Sequence, residues 1–181
     1  MDQRAINEAV ISVILLSLGV YFSVLLIRGS WAYLRFRRVR STALVTWPAP
    51  RPPHFGLLLG LGVVSALVAA LNGYMQRPVH HVVPQGLMSL YFILMVPLLA
   101  SIPLGLYRDG VWSQAGFVSW EKIGRLAFRE KPEIVLILLP RSGSSSFRLP
   151  VPPGEYGAVR KALEEKARAR VLNVDQGILG L

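Results

Sequence analysis

The sequence predicts an α+β membrane protein, in which three transmembrane helices precede a small antiparallel β module with a C-terminal helix. Hydrophobic residues make up 52% of the 181 residues and charged residues only 17%, whereas a soluble domain carries about 25% charged residues. Three long runs contain no charged residue, and several stretches after residue 108 alternate between apolar and polar positions, as half-buried strands do. The predicted domains are a membrane domain (1–107), the module (108–171) and an unassigned tail (172–181).

The three uncharged runs are long enough to cross a membrane. They cover residues 9–27, 55–74 and 87–107, and have 19, 20 and 21 residues. A helix rises about 1.5 Å per residue, so about 20 residues cross a hydrocarbon core about 30 Å thick. The first run is followed by Arg28 rather than by the small residues of a cleavage site, so we expect a retained helix and not a signal peptide.

The positions of arginine and lysine predict the orientation in the membrane. The predicted basic loop 28–54 holds six arginines and no acidic residue, whereas the loop between the second and third runs holds only Arg77. Cytoplasmic loops carry the excess of basic residues. We therefore expect a multi-pass protein of the bacterial inner membrane, with a periplasmic N-terminus and a cytoplasmic module.

About five antiparallel strands and one helix are expected in the module. A hairpin is predicted over 110–120, and the apolar run 134–139 between two prolines is typical of a strand buried on both faces. In the last helix, Tyr156, Val159 and Leu163 fall on one face. The first hairpin turns back toward this helix, which gives the predicted module core: Trp120, Ile123, Tyr156, Val159 and Leu163.

The order of these motifs resembles bacterial membrane-anchored proteins whose C-terminal module is similar to a pleckstrin-homology domain. The residues that carry the resemblance are the Gly-Phe-Val-Ser-Trp-Glu-Lys-Ile stretch over 116–123, a serine-rich turn, and the segment 147–152 before a terminal helix. Trp120 and Ile123 are the best matches. The resemblance covers roughly residues 105–170. It implies a bent sheet closed at one end by the helix, seven strands in a full fold, and an adaptor or accessory role without catalytic residues.

The residue types that carry catalysis or bind metals form no recognisable set. The chain has no cysteine, which excludes disulfides and thiolate metal sites, and its histidines are His54, His80 and His81. No carboxylate lies in the loop of His80 and His81. The segment after residue 108 has no histidine to activate a serine, and there is no glycine-rich phosphate loop. We therefore expect no enzymatic activity, no cofactor and no metal.

The strongest charge feature is a cluster of four arginines that follows the first uncharged run. Basic residues are expected in a cytoplasmic loop in any case. The functional interpretation is binding of anionic lipid headgroups, worth about 1 kcal/mol for each cation near the surface. Trp31, Tyr33 and Trp47 are explained as interfacial anchors, so no nucleic-acid partner is expected. The cluster consists of Arg35, Arg37, Arg38 and Arg40.

Small residues in the second run form two rows, which let helices approach closely. One row contains Gly56 and Gly60, and the other contains Gly62, Ala66 and Ala70. At 100° per residue the rows lie about 160° apart, so one helix cannot turn both toward the same neighbour. We expect one row to pack within the chain and the other to meet another membrane protein or a second copy.

Two functional hypotheses follow from these features. The first is a non-enzymatic inner-membrane protein whose cytoplasmic module binds a protein partner or anionic lipid. The alternative is an accessory or scaffold subunit of a larger transport or energy-converting membrane complex. A membrane-bound enzyme is a third hypothesis, which the missing catalytic sets disfavour. A transporter acting alone is also disfavoured, because none of the three uncharged runs contains an ionisable acidic or basic residue.

Overall fold

A computed structural model describes residues 3–129, 133–141 and 146–169. The chain divides into two compact units, which we call the membrane unit (1–33 and 50–101) and the sheet unit (34–49 and 102–181). The predicted α+β class is confirmed: long apolar helices are followed by antiparallel sheets and a C-terminal helix. The tail predicted over 172–181 lies outside the described residues.

In the part of the chain that the structure describes, three helical segments are long and apolar enough to span a membrane. Helix α1 covers Gln3–Val39, and α2 covers Phe55–Tyr74. The third segment consists of α3 (Val79–Leu90), a π-helical turn (Tyr91–Met95) and α4 (Val96–Ala100). In the π-helical turn, the N–H of Val96 donates to the carbonyl of Tyr91 five residues earlier. Pro97 follows two residues after the turn and has no N–H to continue the α-helical pattern.

The observed helices differ from two of the three predicted spans. Helix α2 has the bounds of its uncharged run, but α1 continues to Val39, so the first part of the predicted loop 28–54 is helical. No glycine or proline after Gly29 interrupts it there. The third segment begins at Val79 and ends at Ala100 instead of spanning 87–107. Its predicted end was wrong because an apolar run does not by itself distinguish a helix from a buried strand.

Within the membrane unit, α1 lies beside the third helical segment and runs in the same direction. The Ser12 hydroxyl lies 3.2 Å from Nε2 of His80, and further along the ring of Phe22 contacts those of Tyr91 and Phe92, with centroids 5.6 Å apart in each case. Helix α2 runs antiparallel to α3, and the Asn72 side-chain amide donates to Oε1 of Gln85 at 2.9 Å. The three apolar helical segments therefore alternate in direction along the chain.

The described residues of the sheet unit form seven strands, two more than the five expected. The first antiparallel sheet has the order β1-β2-β3-β4, and the second has the order β5-β6-β7. Helix α5 (Tyr156–Arg168) follows the last strand. The strands are β1 (Ala43–Trp47), β2 (Leu104–Tyr107), β3 (Gly110–Ser113), β4 (Gly116–Ser119), β5 (Ile123–Arg129), β6 (Val135–Pro140) and β7 (Phe147–Pro150).

The two additional strands, β1 and β2, come from outside the module predicted over 108–171. Strand β1 lies in the predicted basic loop and β2 in the predicted end of the third span, yet they pair with each other, with Trp47 opposite Leu104 and Ala43 opposite Tyr107. The whole helical hairpin α2–α4 is thus inserted between two neighbouring strands. The close approach depends on Gly105, whose φ is +150° and where a Cβ would collide with the carbonyl oxygen of Val45.

Most of the predicted module core is buried. Trp120, Ile123, Val159 and Leu163 are at most 2% exposed, and Tyr156 is half-buried. The indole N–H of Trp120 donates to two backbone carbonyls at the end of β2, those of Tyr107 at 3.1 Å and Arg108 at 3.0 Å. A buried indole N–H needs such an acceptor. The tryptophan therefore depends on a strand that lies outside the predicted module.

We predict that residues 108–169 do not fold alone, whereas residues 34–47 joined by Asn-Gly to residues 104–169 form a soluble folded domain. The shorter fragment lacks Leu104, Leu106 and Tyr107, which are at most 3% exposed. Each such side chain contributes about 1.5–3 kcal/mol, a large part of a typical stability of about 5–15 kcal/mol. Asn-Gly suits a two-residue hairpin, and Trp47 already pairs with Leu104.

The two fragments are compared by circular dichroism and by the dispersion of their amide NMR signals. A third fragment, residues 102–169, retains β2 and lacks β1, and should show intermediate stability. If residues 108–169 alone give a cooperative unfolding transition like that of the joined fragment, the first two strands are dispensable and the sheet order is wrong.

Candidate functional site

The predicted arginine cluster lies at the C-terminal end of α1, within the sheet unit. Arg35, Arg37 and Arg38 occupy the last two turns of the helix, and Arg40 begins a 3-10 turn over Arg40–Thr42. All four side chains are exposed. We call this group the arginine cluster.

Aromatic contacts fix the cluster against the first sheet. Phe36, 7% exposed, packs edge-on against Trp112 of β3 with ring centroids 5.6 Å apart. The guanidinium carbon of Arg35 lies 4.5 Å from the ring centroid of Phe117 in β4, a cation–π contact. This end of α1 is therefore held in place while its charges remain at the surface.

The arginines lie on the sides of α1 that face away from the sheet. At 100° per residue, Arg35 and Arg37 lie about 100° to either side of the buried Phe36, and Arg38 lies nearly opposite it. Cations near a helix C-terminus are stabilised by the helix dipole, by about 0.3–1 kcal/mol each. Part of the role of these residues is therefore to stabilise the end of α1.

The acids that the structure describes do not balance the charge of the cluster. Among residues 3–129, 133–141 and 146–169, no carboxylate lies within 4 Å of any of these four arginines. The ion pair found in that part of the chain joins Arg160 and Glu164 on α5, at 3.1 Å. Burial raises the pKa of Tyr107, and the positive charge of Arg40 lowers it in part. The cluster is thus a concentrated positive patch that suits phosphate and other anions.

The three predicted interfacial aromatics have different environments. Trp31 is 71% exposed on α1, as expected for an anchor at a membrane surface, and Tyr33 is half-buried. Trp47 is 5% exposed and ends β1. Its interpretation as an anchor is therefore not supported, because the segment around it is a strand and not a loop.

The two rows of small residues in α2 have different surroundings. A Cβ built at Gly62 would lie 2.8 Å from Cγ1 of Ile93 and 2.9 Å from Cβ of Phe92, so Gly62 packs tightly against the π-helical turn. At Gly56 and Gly60, no described atom beyond the adjoining backbone of α2 lies within 4 Å of such a Cβ. Ala66 of the Gly62 row is half-buried, but Ala70 is exposed, because the contact face of α2 turns toward Ala69 and Asn72 near that end.

The histidines, and the acidic residues that the structure describes, form no metal centre. The rings of His80 and His81 are adjacent, with centroids 4.6 Å apart. Over the described ranges, no group of three or more His, Cys, Asp or Glu side chains is arranged to hold a metal ion.

Comparisons with known families, with curated proteins and with solved structures find no match for this chain. Only the geometry of this chain therefore indicates what the candidate site can bind.

The sequence analysis did not identify the aromatic residues that hold the cluster in place, which are Phe36, Trp112 and Phe117. The spacing of Gly29, Ala32 and Phe36 on one helical face is the pattern that would have indicated a packed helix in the predicted loop.

We predict that Gly62→Leu destabilises the monomer and that Gly60→Leu does not. The added side chain at residue 62 would collide with Phe92 and Ile93, and overpacking of this kind costs about 1–3 kcal/mol. At residue 60 the side chain would extend into open space. The measurement is the thermal unfolding midpoint of each variant of the full chain in a mild detergent. Equal losses in both variants would mean that α2 packs with a different face toward the third segment.

Proposed function

We propose that this chain is a non-enzymatic, multi-pass protein of the bacterial inner membrane whose cytoplasmic module binds anionic lipid headgroups through the arginine cluster. The observation that carries the proposal is the packing of the cluster's helix end against the first sheet. Four exposed arginines follow an apolar span, and aromatic contacts of Phe36 and Arg35 hold them against the first sheet. A membrane-proximal polybasic segment attracts the anionic cytoplasmic leaflet.

The module is proposed to be similar to a pleckstrin-homology domain. The support is its architecture: seven strands in two antiparallel sheets of four and three, followed by a helix. Seven strands is the number implied by the resemblance of residues 116–123 and 147–152. In this chain the connection between the first two strands is the helical hairpin α2–α4, which ties the module to the membrane at both of those strands.

The proposed orientation is a periplasmic N-terminus and a cytoplasmic sheet unit. It is supported by the arginine distribution and by connectivity. Because β1 pairs with β2, residues 47 and 104 lie on the same side of any membrane that α2 and α3–α4 cross. The arginine cluster and the cations after residue 107 belong to that side, while the connection between α2 and α3 carries only Arg77.

A second candidate function is that of an accessory subunit in a larger membrane complex. The open row at Gly56 and Gly60 favours it, because no described residue covers these glycines and small residues allow a second helix to approach closely. Lipid binding by the arginine cluster is compatible with this role, since the two features lie in different units.

We predict that replacing the four arginines of the cluster by glutamine weakens binding of anionic lipid at least tenfold. The expected loss is about 1 kcal/mol for each charge. The full chain in a non-ionic detergent is titrated with phosphatidylglycerol or phosphatidylcholine, and the dissociation constant is measured at two salt concentrations. The matched control replaces four exposed cations elsewhere in the sheet unit, and both variants lower the formal net charge of +10 by four. The control residues are Lys122, Arg148, Lys161 and Arg168.

For the wild type, affinity for phosphatidylglycerol should exceed that for phosphatidylcholine and fall with salt, because screening weakens exposed charges. The control variant should stay close to the wild type. If both variants lose affinity equally, net charge rather than the cluster attracts the lipid. If neither loses affinity, the arginines serve only topology and helix stability, and the proposed function fails.

We predict that a cysteine at residue 76 is labelled from outside intact cells and that a cysteine at residue 161 is labelled only after lysis. The chain contains no cysteine, so single-cysteine variants report one position each. Gln76 lies in the connection between α2 and α3, and Lys161 is exposed on α5. The reagent is a membrane-impermeant maleimide. The reverse pattern would invert the proposed orientation and place the module in the periplasm.

A further inference from the structure

The membrane unit contains an open groove between α1 and α3, with a volume of about 590 Å³. Its walls are mainly aliphatic, and His80 lines it as well. The volume lies within the range of about 300–1,000 Å³ that is usual for small-molecule sites. The aliphatic walls include Leu16, Val20 and Val24 of α1 and Val83 and Leu87 of α3.

A contact at the base of the groove accounts for its shape. A Cβ built at Gly19 would lie 3.2 Å from Cγ of Pro84, so the two helices already touch at this point. The long aliphatic side chains stand to either side of the contact. Ser23 also lines the groove, but its hydroxyl donates to the carbonyl of Gly19 at 2.8 Å. The walls therefore present hydrocarbon to an occupant.

One end of the groove is polar. Nε2 of His80 lies 3.2 Å from the Ser12 hydroxyl, which itself donates to the carbonyl of Glu8 at 2.8 Å. His81 lies against the His80 ring, and the exposed Arg77 precedes it by four residues. These groups suit an anion at this end.

The length of the groove matches one leaflet of a bilayer. From Val79 to Leu87, and from Leu16 to Val24, the rise is about 12 Å along each helix. Half of a hydrocarbon core about 30 Å thick is about 15 Å. The groove ends after about two turns, so its length corresponds to one leaflet. An amphiphile with a polar head at His80 fits both its length and its polarity.

We propose that this groove binds one acyl chain of an anionic membrane phospholipid, with the phosphate beside His80. The lipid lies in the leaflet that contains the connection between α2 and α3. This site is separate from the arginine cluster, and its occupancy does not depend on the proposed function of that cluster.

The test uses the full chain in liposomes that contain a small fraction of phosphatidylglycerol with a diazirine in one acyl chain. After irradiation, the labelled residues are identified by mass spectrometry. Labelling within residues 16–24 and 79–87 should saturate and be displaced by excess unlabelled phosphatidylglycerol. Labelling around Val63, on an exposed face of α2, should rise in proportion to the probe.

Two pairs of tryptophan substitutions separate the groove from the general lipid surface. Val20→Trp with Val83→Trp fills the groove and should lower the saturable labelling at least tenfold. Val63→Trp with Val64→Trp adds the same bulk to exposed positions of α2 and should leave it unchanged. His80→Ala should weaken competition by phosphatidylglycerol several-fold. If the groove pair does not fold, as judged by gel filtration, Val20→Trp alone replaces it.

Three outcomes would overturn the proposal. Labelling of the groove that rises linearly and is not displaced would show ordinary bulk lipid. Saturable labelling that survives the folded groove variants would place the lipid elsewhere. The groove variants could also change a dimer to a monomer while labelling of other lipid-exposed residues stays the same. That result would identify a second copy of the chain as the occupant.

Discussion

Antiparallel pairing between Ala43–Trp47 and Leu104–Tyr107 joins two strands that a whole helical hairpin separates in the chain. The sheet unit has no complete first sheet without this pairing, because β2 contributes side chains that are at most 3% exposed. The backbone carbonyls at the end of β2 accept the indole N–H of Trp120, and the carbonyl of Arg108 also accepts a hydrogen bond from Nζ of Lys166 at 3.0 Å. One strand thus connects the first sheet, the central tryptophan and the last helix.

The same pairing accounts for the position of the arginine cluster. The end of α1 leads through one 3-10 turn into β1, and the N–H of Arg108 donates to the carbonyl of Thr42 at 2.9 Å. Since β1 is paired with β2, the last turns of α1 lie against β3 and β4. There Phe36 packs against Trp112 and Arg35 contacts Phe117. The charges are therefore positioned by the sheet and not only by the helix that carries them.

Much of this architecture is visible in the sequence, and the exceptions have physical reasons. The run 55–74 was assigned its observed bounds because proline-rich and polar residues flank it on both sides. The third span was misplaced because Leu104–Tyr107 is as apolar as the helix before it, and only pairing with β1 makes it a strand. Strand β1 was missed because five residues inside an arginine-rich segment show no clear alternation. Exposure of the arginines could be expected from their charge, but their aromatic contacts depend on tertiary structure. The groove in the membrane unit had no signal in the sequence, since it arises from the contact of Gly19 with Pro84.

The inserted hairpin also affects the order in which the protein folds during synthesis. Residues 48–103 must be made before β1 has a partner, which takes roughly 3 to 11 s at about 5–20 residues per second. During that interval β1 is an unpaired strand edge, the kind of segment that aggregates readily. Arginines precede it and prolines follow it closely in the chain, and both residue types discourage pairing with foreign strands. The sheet unit is completed only when the last helix of the hairpin has been made and β2 follows it, so a complete first sheet reports that the whole hairpin has been synthesised.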